Sequence, residues 1–191
     1  EQGQATKQEI AYNMQRSLPT VTQNLTYLNE QGLISCENKV VNRAGGRNPV
    51  AYSYIPDTRV AIGLDITRHH IKSIAIDLDG QIIKYVYRRK DYQRDDDYLK
   101  TLANEVENII AMAGLPHEKI LGVGIAVPGL IDRTGEFVYD GRVIDNNGMT
   151  RAEFSRYIPY KTKLIHDSAA AGYSEIVHSP DIHNACYVSL G

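Results

Sequence analysis

The sequence predicts an α/β protein built from two unlike parts. Three observations point there. Residues 1–34 place apolar side chains at helical spacing, residues 35–56 read as a small hairpin, and residues 60–191 alternate strand-like and helix-like segments. Pro56 and Asp57 mark the boundary, giving a small domain over 1–56 and an α/β domain over 60–191. The chain has 191 residues, room for one sizeable domain or two small ones. No internal repeat or low-complexity tract interrupts it.

The first part opens with "TKQE", Thr6 to Glu9. That is a capping box: the Thr6 hydroxyl can accept from the third helical amide while Glu9 reaches back to the cap amide. A helix carrying Ile10, Ala11 and Met14 follows. In "QRSLPTVTQNLTYLNEQGLI", Ser17 is an N-cap and Pro19 fits the first turn. Val21, Leu25 and Leu28 form an apolar stripe, and Gly32 ends the helix in the left-handed conformation. Two short helices joined around Gln15 to Ser17 make a helix-turn-helix. Thr20, Thr22, Gln23, Thr26 and Tyr27 occupy the polar face of the second helix. Gln can pair with adenine in the major groove, and Thr can touch a thymine methyl. The plainer alternative is a solvated face on an ordinary helical hairpin.

"LISCENKVV" and "PVAYSYI" are strand-like, and "NRAGGRN" joins them. Gly45 and Gly46 permit a tight turn, flanked by Arg43 and Arg47. A hairpin directly after a helix-turn-helix is a wing, and its arginines suit a phosphate or a narrow minor groove. Solvation at a hairpin tip is the alternative. Residues 1–56 hold five Lys/Arg against four Asp/Glu, a balance that weakens the electrostatic case for nucleic acid.

The second part begins with Val60, Ile62, Leu64 and Ile66 alternating along one strand face. "IKSIAIDLDG" and "QIIKYVYRR" extend this to three antiparallel strands, with "DLDG" as a hairpin turn. Tyr98, Leu99, Leu102, Val106, Ile109, Ile110 and Ala113 then mark an amphipathic helix. Asp95, Asp96 and Asp97 stand at its start, where the helix dipole favours negative charge. Consecutive carboxylates there cannot converge on one metal ion. "KILGVGIAVPGLID" is a buried strand running into a loop; "TRAEFSRYI" is a helix, "KTKLIHD" a strand, "SAAAGYSEIV" a helix. Three strands, helix, strand, helix, strand, helix is the order of an actin-like ATPase (ribonuclease H-like) half-domain. The closing "NACYVSLG" would open a second half.

Bulk properties narrow the function classes. A formal net charge of −2 argues against a protein that coats nucleic acid by bulk charge, though a local DNA-binding surface remains compatible. No apolar run approaches the roughly 18–20 residues needed to span a bilayer, and no stretch reads as a secretory leader. Cys36 and Cys186 belong to no CxxC pair, so neither a disulfide framework nor a local zinc knuckle is expected. A reducing cytoplasm is the expected compartment. The chain starts at Glu1 and stops on a strand running into a turn, which reads as a piece of a longer protein.

The order "IGLDI…IDLDG…GVGIAVPGLID…HDSAAAGYSE…YVSLG" after a winged helix-turn-helix resembles the ROK family, named for repressors, open reading frames and kinases. "VGIAVPGLID" is its most specific segment. The resemblance implies a two-lobed sugar-kinase fold with a sugar cleft between the lobes. Members with an N-terminal winged helix resemble sugar-responsive repressors.

Kinases of the family carry Asp-x-Gly-Gly-Thr in the first hairpin, where glycines let backbone amides approach phosphate. The matching positions here read Asp65-Ile66-Thr67-Arg68-His69-His70. Side chains at Thr67 and Arg68 would crowd that approach, which argues against ATP binding. His69 and His70, adjacent on a hairpin, are expected to face opposite ways and make a poor metal pair.

The resemblance also implies a sugar site. Asp167 matches the kinases' general base, a role a cleft carboxylate can fill. It can equally accept hydrogen bonds from a sugar without chemistry, or cap the helix at Ser168. His166 stands where kinases have Asn, as in the repressor branch, and Ser168 and Ala169 depart further from the kinase pattern. In "GRVIDNNGMT", Asn147 is the preferred match to the family's sugar-binding asparagine, with Asn146 close behind. Gly129 lets backbone come near the ligand. The sugar set is therefore Gly129, Asn147, His166 and Asp167, and the DNA set is Thr20, Thr22, Gln23, Arg43 and Arg47.

The family's zinc segment and second phosphate loop would fall after Gly191, so no cofactor or metal is expected in this chain. The expectation is a sugar-responsive, DNA-binding regulator acting on operator DNA as a homodimer or higher homo-oligomer. A sugar kinase fused to a DNA-binding module, with Asp167 catalytic, is the alternative. A winged-helix protein–protein module is a third.

Overall fold

The computed structural model describes residues 3–37 and 50–178. The chain divides into two compact units, Glu1–Thr58 and Arg59–Gly191. Arg43, Arg47, Gly45, Gly46 and the expected strand "NACYVSLG" lie outside the described residues.

The first unit runs β1 (Ala5–Thr6), α1 (Lys7–Asn13), α2 (Leu18–Glu30), β2 (Ile34–Glu37) and β3 (Ala51–Tyr54). The capping box at Thr6 forms, with Glu9 Oε2 accepting from the Thr6 amide at 2.7 Å. Ser17 caps α2, and Pro19 sits in its first turn. Val21 and Leu25 are buried, with Leu28 half-buried beside them. Both helices end in a Schellman motif. Arg16 N donates to Ala11 O at 3.0 Å, and Leu33 N to Leu28 O at 3.0 Å. The left-handed residue is Gly32 in the second case (φ 66°) but Gln15 in the first (φ 49°). That costs Gln15 roughly 1 kcal/mol relative to glycine and fixes the tight inter-helix turn.

β2 and β3 pair antiparallel, Ile34 opposite Tyr54 and Glu37 opposite Ala51, as a hairpin requires. Ser35 and Ser53 share a cross-strand hydrogen bond of 2.9 Å. β1 is a departure from the expectation of helix alone in this region: it adds a third strand, giving the order β1-β3-β2. Thr6 serves as strand end and N-cap together because a cap residue already has extended backbone (φ −79°, ψ 161°).

Among the described residues, the second unit holds a five-stranded sheet in the order β10-β7-β4-β5-β6. Its strands are β4 (Val60–Ile66), β5 (His70–Ile76), β6 (Ile82–Arg89), β7 (Ile120–Val127) and β10 (Thr162–His166). β4, β5 and β6 are antiparallel, while β7 and β10 run parallel to β4. Helices α3 (Asp96–Met112), α4 (Arg151–Phe154) and α5 (Asp167–His178) complete it. A small hairpin, β8 (Leu130–Ile131) with β9 (Val138–Asp140), was not expected; strands of two and three residues are too short to show alternation.

One sheet face builds the core. Val60, Ile62, Leu64 and Ile66 are buried, with Ile71, Val123, Ile125, Val127 and Leu164 on neighbouring strands. α3 covers them with Tyr98, Leu102, Val106 and Ile109, each 0% exposed. Asp95 caps α3 through the Tyr98 amide at 2.8 Å. Asp96 is held by Tyr157, Lys100 and Arg156, and the hydrogen bond from Tyr157, then that from Lys100, keeps its carboxyl below the usual range. Glu105 is buried under an ion pair from Arg88. Among the described residues, no helix is long and apolar enough to cross a membrane.

Ser17→Ala removes the α2 cap and should lower the stability of the first unit by ~1 kcal/mol, read as a shifted urea midpoint at unchanged slope. Leu102→Ala should cost the second unit about 2–5 kcal/mol on the same measurement, because α3 cannot collapse onto a sheet pinned on both sides.

Candidate functional site

The parallel strands β4, β7 and β10 end side by side. Register places Asp65 beside Ala126 and Val127 beside His166. The segments that leave these ends are Thr67 to His70, Pro128 to Gly129, and Asp167 onward. In open α/β sheets, ligands gather beyond the carboxyl ends of such strands.

The turn after β4 is filled by its own hydroxyl. Thr67 Oγ1 accepts from the amides of His69 at 3.4 Å and His70 at 3.2 Å. Thr67 N donates to His70 O at 3.0 Å. Among the described residues, the non-glycine positions with positive φ are Gln15 and Asp145, so this turn escapes left-handed strain. His69 and His70 diverge as expected. His69 Nδ1 lies 2.9 Å from Asp91 Oδ1, and the His70 ring lies 5.2 Å from that of Tyr87. Arg68 turns away from the hairpin and donates through its guanidinium to the Val143 carbonyl.

Gly129 follows β7 with φ 125°. A Cβ there would meet Asp140 O at 2.7 Å and Val138 Cγ1 at 3.0 Å, so glycine is required by the packing of β9. The segment from Gly141 to Met149 folds back over this point. Asn146 is 0% exposed, and its Nδ2 donates to Pro128 O at 3.1 Å. Gly141 makes room for it, since a Cβ would stand 2.2 Å from Asn146 Oδ1. Asn147 is exposed, and its carbonyl accepts from Arg94 Nη1 at 2.9 Å. Thus the two asparagines that the sequence left as alternatives differ sharply: Asn146 holds the loop to β7, and Asn147 faces out.

His166 ends β10 and Asp167 begins α5, with His166 Nε2 3.3 Å from Asp167 Oδ1. Asp167 Oδ1 also accepts from the Ser168 amide at 2.6 Å and from Ser168 Oγ at 3.2 Å. Its partner is the next residue, not the amides two or three along that a cap engages. Both side chains are half-buried. Gly129, the Asn147 loop, His166 and Asp167 therefore lie around one end of the sheet. Arg68, Tyr92 and Arg94, which hold that loop, carry no local signal in the sequence; their partners lie 75, 57 and 53 positions away.

In the first unit, Gln23 is exposed on α2, opposite the buried Val21 and Leu25. Thr20 is exposed, and its hydroxyl lies 2.8 Å from Ser17 Oγ within the cap. Thr22 is half-buried, its carbonyl accepting from Thr26 Oγ1 at 3.0 Å. Among the described residues, no group of three His, Cys, Asp or Glu side chains is placed to hold a metal, so these residues offer no cage for the zinc that the resemblance implies further along.

The chain is 28% identical over 154 residues to the xylose repressor of Bacillus subtilis, covering 77% of this chain and 39% of that protein. The chain thus spans less than half the length of that relative. A ROK family transcriptional regulator, a homolog of the E. coli MLC protein, superposes with a TM-score of 0.68 at 17% identity, covering 93% of this chain and 46% of that one. A ROK family glucokinase from Streptomyces griseus, in complex with glucose and AMPPNP, gives 0.50 at 19% identity, covering 61% and 36%. The two likenesses in structure establish the α/β fold of sugar-kinase type. Residues 61–191 match the ROK family itself, and the chain belongs to that family.

Proposed function

We propose that this chain is the DNA-binding and first effector-binding portion of a sugar-responsive transcriptional repressor. The first unit acts as a winged helix-turn-helix. Its α2 enters the major groove with Gln23 foremost and with Thr20 and Thr22 beside it. Arg43 and Arg47, outside the described residues, serve as wing contacts to phosphate or the minor groove. The protein binds a palindromic operator as a homodimer or higher oligomer, with half-sites roughly 10 bp apart or a multiple of that.

The second unit binds a pentose or hexose, free or phosphorylated, beyond the strand ends, through Asn147, His166 and Asp167 with Gly129 backing the site. Asp167 then accepts sugar hydroxyls rather than a proton in catalysis. For the sugar to release DNA, it must prefer one arrangement of the lobes over the other. The single observation that carries this reading over phosphoryl transfer is the Thr67 hydroxyl. It holds the two amides that a glycine turn would turn toward phosphate. The xylose repressor relative supports the same side. The glucokinase neighbour and the presence of Asp167 favour the kinase as second reading.

Selection of random DNA by the full-length protein should enrich a palindrome, with affinity falling steeply as salt rises. Gln23→Ala should then cost about 1–3 kcal/mol and relax preference at one base pair of each half-site. Absence of any enriched sequence would remove the DNA-binding role. With ATP, magnesium and a panel of hexoses and pentoses, ADP release should stay at background. Turnover of about 1 per second or faster would instead establish the kinase.

A further inference from the structure

We propose that Arg68 and Arg94 are positioning residues that clamp the Gly141–Met149 loop in its sugar-binding shape, coupling the first hairpin turn to the effector site. The inference rests on the effector role proposed above and assigns that site's control to side chains that do not touch the sugar.

The loop needs holding. Asp145 has φ 60°, a left-handed conformation that aspartate adopts more readily than most residues with a side chain but still at some cost. Asn146 anchors one side, through Pro128 O and through its own amide to Gly141 O at 3.0 Å. The other side is anchored from a different part of the fold. Arg68 donates to the Val143 carbonyl, and Arg94 donates to the Asn147 carbonyl at 2.9 Å. Tyr92 OH reaches Met149 Sδ at 2.8 Å. Two of these are themselves linked, since Tyr92 N donates to Arg68 O at 2.9 Å. The two guanidinium contacts bracket Asp145 from two residues away on each side, at the carbonyls of Val143 and Asn147.

The Arg94 contact restrains the backbone at Asn147, from which the Asn147 side chain leaves. A sugar that binds Asn147 so held is favoured by the clamp and in turn stabilises it, because the coupling is reciprocal. Arg68 thereby gives the glycine-less turn a use: it ties the turn to the loop.

The test measures binding of D-xylose and of D-glucose, each alone, to the full-length protein by calorimetry. Arg94→Ala and Arg68→Ala should each weaken binding of whichever sugar the parent protein takes by about tenfold, the loss of one charge-assisted hydrogen bond. Arg94→Lys keeps a donor and should recover most of that loss. Amide exchange across residues 141–149 should speed up in both alanine variants while the thermal midpoint holds. Unchanged affinity and exchange in both variants would overturn the clamp alone. Weakened binding with a fallen midpoint and no recovery in Arg94→Lys would reduce the arginines to general stability and also overturn it. If the parent protein binds neither sugar, the effector reading fails for these ligands and the clamp fails with it.

Discussion

Strand β4 sets the terms for the second unit. It is hydrogen-bonded on both sides, and its inward residues Val60, Ile62, Leu64 and Ile66 are at most 1% exposed. A strand buried this way has no freedom of register, because a slip of one residue would turn its whole apolar set out of the core. The strand also marks where the sheet changes character, antiparallel toward β5 and parallel toward β7. Its carboxyl end therefore meets a tight turn on one side and the open ends of two parallel strands on the other. The candidate site occupies that junction, and the fixed register of β4 is what holds its parts at constant spacing.

Around that junction, small residues do as much as functional ones. Gly129 lets β9 lie against the end of β7, and Gly141 lets Asn146 enter the core. The buried amide then spans from loop to strand end. A buried hydrogen bond from an amide contributes about 1 kcal/mol net, but losing one partner costs the other its full desolvation. Asn146 is for that reason a support that is costly to remove, since displacing the loop would leave the Pro128 carbonyl without that bond.

Much of this was legible in the sequence, and the line between legible and hidden is physical. β4 and α3 follow from periodicity, and the ends of α2 follow from Ser17, Pro19 and Gly32, because those signals are local. β1 and the β8–β9 hairpin stayed hidden because two or three residues cannot display a period. Gln15 stayed hidden as the left-handed residue of the inter-helix turn because glycine is the usual marker and it is absent. Asn147 and Asn146 are adjacent and chemically identical in sequence. Only packing separates them, since the cavity that receives one is made by Gly141 and by the end of a distant strand. The arginines that hold the loop were hidden for the same reason: a guanidinium meeting a backbone carbonyl leaves no complementary residue type to notice.

The turn after β4 shows how one hydroxyl can occupy backbone amides that a glycine turn would leave free. A glycine turn is useful to an anion because its amides have nothing else to bond and its backbone can be approached closely. Thr67 removes both conditions together. Its Oγ1 takes up the amides of His69 and His70, so a phosphate would have to break two bonds to gain them. The side chain that follows, Arg68, could have restored anion affinity by charge, but its guanidinium is committed to Val143 O. Charge alone would not recruit phosphate without a free donor geometry, since exposed cations attract weakly through water. On the proposed reading the turn serves as a support for the loop and not as a phosphate cradle. Under the proposed function, a turn tied to the loop through Arg68 would couple ligand binding at the loop to the end of β4.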